Sequence, residues 1–98
     1  MKQHAVKALQ AVGYNVWVNN VGRKGGVRFG KKGLPDIIGY SKEGKFVGVE
    51  CKNLNTRDAL TDEQDAFLWN LYRAGGRAGV VFLKGDVVTW EWRGGKQY

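Results

Sequence analysis

On a β-strand, successive side chains leave opposite faces. In the run Phe46 to Lys52, Glu50 and Lys52 therefore share one face, and Val49 and Cys51 turn the other way into a core. A carboxylate and an ammonium on an otherwise apolar strand have two readings. As a mutual ion pair on an exposed sheet face they contribute only ~0–1 kcal/mol. With a second carboxylate nearby they become a candidate metal site. Asp36 offers that carboxylate. It follows Pro35, the only proline in the chain, and opens the apolar run Ile37 to Tyr40. That run reads as the antiparallel partner of Phe46 to Lys52, with the turn at Glu43-Gly44. With Tyr40 and Phe46 flanking the turn, Asp36 falls at the Glu50–Lys52 end of its partner. Two carboxylates at close range repel unless a cation lies between them. Hard oxygen donors select Mg²⁺ or Mn²⁺ over zinc, and Mg²⁺ takes one or two carboxylates together with water and phosphate oxygens. The expected chemistry is metal-assisted phosphodiester hydrolysis. Asp36, Glu50 and the main-chain carbonyl of Cys51 would hold the cation, and Lys52 would orient or deprotonate the attacking water or offset developing charge.

Charge points to the same class of substrate. The chain has 98 residues and a formal net charge of +7, from sixteen Lys and Arg against nine acids. Arg23, Lys24, Arg28, Lys31 and Lys32 crowd one segment that contains no acid and is punctuated by Gly22, Gly25, Gly26, Gly30 and Gly33. A basic glycine-rich loop suits a phosphate backbone, where Lys and Arg displace condensed counterions; a solvated surface loop is the plainer alternative. Arg57, just after the Glu50–Lys52 strand, is a further candidate phosphate contact. No base-reading element is evident, so backbone or shape recognition is expected over sequence recognition.

The elements that carry these residues follow from periodicity. Lys2 to Val12 reads as a helix, with Ala5, Val6, Leu9 and Val12 at helical spacing and Gly13 as its stop. Asn15 to Asn19 alternates as a strand. Asn53 to Leu60 is a polar connection. Thr61 and Gln64 have capping-box spacing at the start of a second helix, with Phe67, Leu68, Leu71 and Tyr72 as its apolar stripe and Gly75-Gly76 as its end. Gly79 to Leu83 is an apolar central strand and Val87 to Trp92 a last one. The tail from about residue 93 is polar and expected to fray. The strands on either side of the second helix should run parallel, as in a crossover unit. The expected fold is α/β: a single domain over 1–98 with a mixed sheet of about five strands flanked by helices. Cys51 is the lone cysteine, so no intrachain disulfide is available, and it reads as a buried apolar residue rather than a nucleophile. Met1 to Gln10 shows no apolar signal-peptide core, and no apolar run approaches the roughly 20 residues of a membrane helix. A cytoplasmic protein is expected, with no membrane partner and no small-molecule cofactor.

The series Gly33-Leu34-Pro35-Asp36, then Glu50-Cys51-Lys52, then Gln64 resembles the PD-(D/E)xK nuclease superfamily. The closest likeness is to its VRR-NUC branch, small stand-alone nucleases found in phages and related to Holliday-junction resolvases. The likeness runs from the basic loop to the strand around Val81. It implies a restriction-endonuclease-like core, DNA as substrate and Mg²⁺ or Mn²⁺ dependence. It also implies Asp36 and Glu50 as metal ligands, Lys52 as catalytic lysine, Gln64 as an active-site helper and homodimers. A phage-encoded member would work in the host cytoplasm. Gln64 is also explained by helix capping alone. Many members carry a glutamate on the first helix that completes the metal site. Here that helix has Gln3, His4 and Gln10 and no acid, which leaves one or two metals open and is compatible with a single-metal site or a weakly active enzyme, with His4 as a substitute ligand or simply an exposed terminal residue. Trp17, Trp69, Trp90 and Trp92 are core or base-stacking candidates, and Trp90 with Trp92 a possible dimer patch. The rival to an endonuclease is an inactive nucleic-acid-binding or interaction module of the same fold.

Overall fold

The computed structural model describes residues 1–19, 33–56 and 58–95, together with the backbone of 23–24 and 27–28. The elements run α1 (Lys2–Ala11), β1 (Asn15–Val18), β2 (Arg23–Lys24), β3 (Val27–Arg28), β4 (Ile37–Tyr40) and β5 (Phe46–Asn53). A 3₁₀ turn (Leu54–Thr56), α2 (Asp62–Arg73), β6 (Arg77–Lys84) and β7 (Val87–Trp92) follow. Five strands form one sheet in the order β1-β4-β5-β6-β7, and β2 and β3 pair separately as a short antiparallel ribbon within the basic segment. Among the described strands, β5 and β6 are parallel, joined through α2, and the other pairs are antiparallel. This is the mixed α/β sheet expected from the pattern, including the hairpin register Tyr40↔Phe46 and Ile37↔Val49.

The two faces of the sheet are covered by different helices, which makes the alternation along β5 consequential. Val47, Val49 and Cys51 join Ala5, Val6 and Leu9 of α1, with Val16, Ile37 and Val81, in the larger core cluster. On the other face Leu68 packs with Ala78 and Val80, and Leu60, Leu71 and Phe82 border them. Glu50 and Lys52 project to this second side. α2 is set by its ends. The Thr61 hydroxyl accepts the Gln64 N–H and the Gln64 carboxamide accepts the Thr61 N–H, a complete capping box. Asp62, Glu63 and Asp65 in the first turn complement the helix dipole.

Two glycines allow close layers. A Cβ on Gly39 would fall 2.0 Å from the Asn15 carbonyl oxygen, so β1 and β4 meet only because that position is bare. A Cβ on Gly48 would meet Pro35 at 2.8 Å and Leu71 at 3.0 Å. Pro35 therefore seats directly over β5, and that seat positions the next residue, Asp36.

Three expectations need correction. Val12 is not part of the α1 stripe; it is 66% exposed, because the helix ends at Ala11 and Gly13 turns the chain with φ +102°. The tail does not fray at Arg93. Arg93 is buried, its N–H donates to the Ala78 carbonyl at 2.8 Å, and its guanidinium reaches Asp65 and Glu91 and stacks on Trp69. Residues 96–98 lie outside the described residues. Trp90 and Trp92 do not form a free patch: they stack on each other at 6.0 Å, Tyr14 stacks on Trp92 at 6.1 Å, and all three pack against the α1 core.

Candidate active site

Asp36 sits just before β4, held from both sides. Its main-chain carbonyl accepts the Asn19 N–H at 2.7 Å from the β1 side. Its side-chain Oδ2 accepts the Cys51 N–H at 2.9 Å from the β5 side. The carboxylate thus replaces a ladder partner at the point where Pro35, with no N–H, interrupts the pairing. The effect is to fix a carboxylate beside the next β5 residue that faces α2, Glu50.

Glu50 is fully buried, and both of its carboxylate oxygens lack a hydrogen-bond donor among the described residues. Burial pushes its carboxyl up to about 8, the neighbouring Asp36 carboxylate adds to the rise, and Lys52 and then the nearby Asp36 main-chain N–H offset part of it. An undonated buried carboxylate is costly unless something supplies positive charge. Lys52 does not pair with Glu50. Its side chain is 7% exposed and its Nζ lies 3.4 Å from Asp58 Oδ1, in the connection after β5. Cys51 lies in the α1 core, and burial, reinforced by Asp36, pushes its thiol up to about 12. It is a protonated core residue without the thiolate that nucleophilic chemistry requires.

The structure brings Asp36, Glu50 and Lys52 into one region, with the Cys51 main chain between them. Gln64 stands at the start of α2, and its observed bonds are those of the cap. His4 does not approach Asp36; it borders a small apolar pocket formed with Ala5, Ala8, Val81, Val88 and Trp90. The side chains of Arg23, Lys24, Arg28, Lys31, Lys32 and Arg57 lie outside the described residues.

Three positioning residues were not singled out from the sequence. Asn19 grips Pro35 and Asp36. Asp58 pairs with Lys52. Lys2, on α1, places its Nζ 3.5 Å from Asp36 Oδ1. A signal for Lys2 existed: it shares the helical phase of Ala5, Val6 and Leu9, so a charged residue occupied the core-facing stripe. Asp58 carried no comparable signal, since its contact depends on how the polar connection folds back.

Two adjacent carboxylates, one buried without donors, fit a hard divalent cation. No group of three or more His, Cys, Asp or Glu converges among the described residues; the donors that meet here are the two carboxylates of Asp36 and Glu50, which are hard oxygen ligands. No helix among the described residues is long and apolar enough to cross a membrane. No curated protein is matched by the chain. The family model of the VRR-NUC domain matches residues 2–82, a span that contains all of these side chains. The chain therefore belongs to the VRR-NUC family, nucleases of the PD-(D/E)xK superfamily with a restriction-endonuclease-like α/β fold.

Proposed function

We propose that the protein is a Mg²⁺- or Mn²⁺-dependent endodeoxyribonuclease that cleaves DNA by recognising backbone shape rather than base sequence, as a homodimer. The observation that carries this reading is the buried Glu50 carboxylate, without a donor among the described residues and beside Asp36. Asp36, Glu50 and the Cys51 carbonyl would hold the cation. The Cys51 carbonyl suits the role: continuing the register Ile37↔Val49 by two places sets Pro35 opposite it, and proline has no N–H to give. When bound, such a cation supplies Lewis-acid activation of water and of the scissile phosphate.

The chain's own residues do the rest. The Cys51 N–H and the Asn19 clamp hold Asp36 in one orientation, which removes a reorganisation cost from the reaction. Asp58 holds the Lys52 ammonium at the rim, where it orients the attacking water and offsets charge on the phosphate. Gln64, through the cap, fixes the start of α2 against this side of the sheet. The basic segment, including Arg23, Lys24, Arg28, Lys31 and Lys32, and Arg57 after β5 would track the backbone. Two-fold symmetry of a dimer would match that of a duplex or junction, and light scattering of the full chain at micromolar concentration reads the oligomeric state.

The test is a panel of four-way junction, flap, nicked duplex, intact duplex and single strand, each with Mg²⁺, Mn²⁺ or EDTA. The expected result is cleavage of a branched or duplex substrate only with metal, abolished by Asp36→Ala and by Lys52→Ala while binding survives. Binding of every substrate without cleavage under any metal would replace this reading with an inactive DNA-binding module.

A further inference from the structure

The two carboxylates of the site are not treated alike. Among the described residues Glu50 has no hydrogen-bond donor, whereas Asp36 is compensated twice: Oδ2 by the Cys51 N–H at 2.9 Å and Oδ1 by the Lys2 ammonium at 3.5 Å. Oδ2 already accepts the Cys51 N–H, so Oδ1, the oxygen that Lys2 attends, is the readier ligand for a cation shared by Asp36 and Glu50. Lys2 can leave it. Its side chain is 51% exposed, and it lines an open cleft of about 510 Å³ with Gln3, Asn53 and Asp58. That cleft adjoins Cys51, so an ammonium turned into it stays next to the site.

We propose that Lys2 is a displaceable counter-ion of the active site: it neutralises Asp36 in the metal-free protein, competes with the divalent cation for that carboxylate, and on displacement turns into the cleft to hold a DNA phosphate. The proposal rests on the metal-site reading given above. A lysine on the first helix then makes cation and DNA binding mutually reinforcing. The cation frees the ammonium, the ammonium binds phosphate, and each ligand raises affinity for the other by the same factor. In the absence of DNA, Lys2 weakens cation binding, so the site loads more readily on substrate.

The experiment is Mn²⁺ binding to the full chain without DNA, read by electron paramagnetic resonance of free Mn²⁺ at fixed ionic strength, for the wild type, Lys2→Met and Lys2→Gln. The expected result is tighter binding in both variants by about two- to fivefold, the range set by a half-exposed ion pair. A second readout uses Ca²⁺ and a fluorescent duplex, on the wild type and both variants. There the variants bind DNA more weakly, and the slope of log affinity against log salt falls by about one phosphate contact. Melting curves show whether each variant is folded, and Lys2→Gln retains polarity should Lys2→Met disturb the helix start. If the wild type takes up Mn²⁺ and neither variant differs from it, the Lys2 proposal is overturned and the metal site stands. If the wild type takes up no Mn²⁺ at all, the metal site falls and the Lys2 proposal with it.

Discussion

Replacing Glu50 by glutamine should stabilise the metal-free protein while abolishing its activity, and the size of the gain follows from the site. The folded-state carboxyl is raised from 4.5 to about 8, chiefly by burial and next by Asp36. A group raised on folding binds its proton more tightly in the native state. Its contribution is fully present below 4.5 and is lost as pH climbs towards 8. At pH 7 the loss amounts to roughly 3 kcal/mol, and above pH 8 it approaches roughly 5 kcal/mol. A neutral glutamine does not suffer it, and its amide can donate to Asp36. Urea unfolding of both proteins in EDTA, from pH 4.5 to 9, isolates Glu50, because every other titrating group is common to the pair. The stability difference should grow with pH in favour of Glu50→Gln. At pH 8 it should reach a few kcal/mol, on the order of 10–20 °C in melting temperature for a domain of this size. Saturating Mn²⁺ should close the gap by stabilising the wild type alone. A difference that stays flat across this range, or one that shrinks as pH rises, would refute the account of Glu50 as a buried carboxylate with a raised pKa.

Three further outcomes are expected. Asp58→Asn should lower stability by about 1 kcal/mol in urea titration, because it weakens the partner of a nearly buried lysine, and it should reduce kcat more than DNA binding. Gly39→Ala should cost at least about 2 kcal/mol, since the new Cβ would sit 2.0 Å from the Asn15 carbonyl oxygen with no flexible side chain to move aside; the urea midpoint reports it. Arg93→Ala should cost about 1–3 kcal/mol in urea unfolding by removing a buried guanidinium from Asp65, Glu91 and Trp69.

The hairpin that carries Asp36 and Glu50 could be read from the chain because local rules govern it. A proline at the entry, a Glu-Gly turn and two-residue alternation fix its register, and the register fixes which side chains share a face. The α2 cap was equally local. What sequence could not supply was the set of partners made by docking. Lys52 pairs with Asp58 and not Glu50, because the connection after β5 folds back beside it. Asp36 meets Lys2 only once α1 packs across the sheet. Arg93 looked like the start of a polar tail, yet its counter-ion Asp65 lies on α2, distant in sequence. In each case a charge was visible and its mate was not. The basic segment lacked alternation strong enough to announce the β2–β3 ribbon that its backbone forms.

In the proposed site Asp36 and Glu50 share one divalent cation. Anomalous scattering from a crystal of the full chain soaked in Mn²⁺ tests it most directly. The expected result is one strong peak within about 2.0–2.3 Å of a carboxylate oxygen from each residue, lost in Asp36→Asn crystals. Mn²⁺ bound elsewhere, with Asp36 and Glu50 uncoordinated, would contradict it.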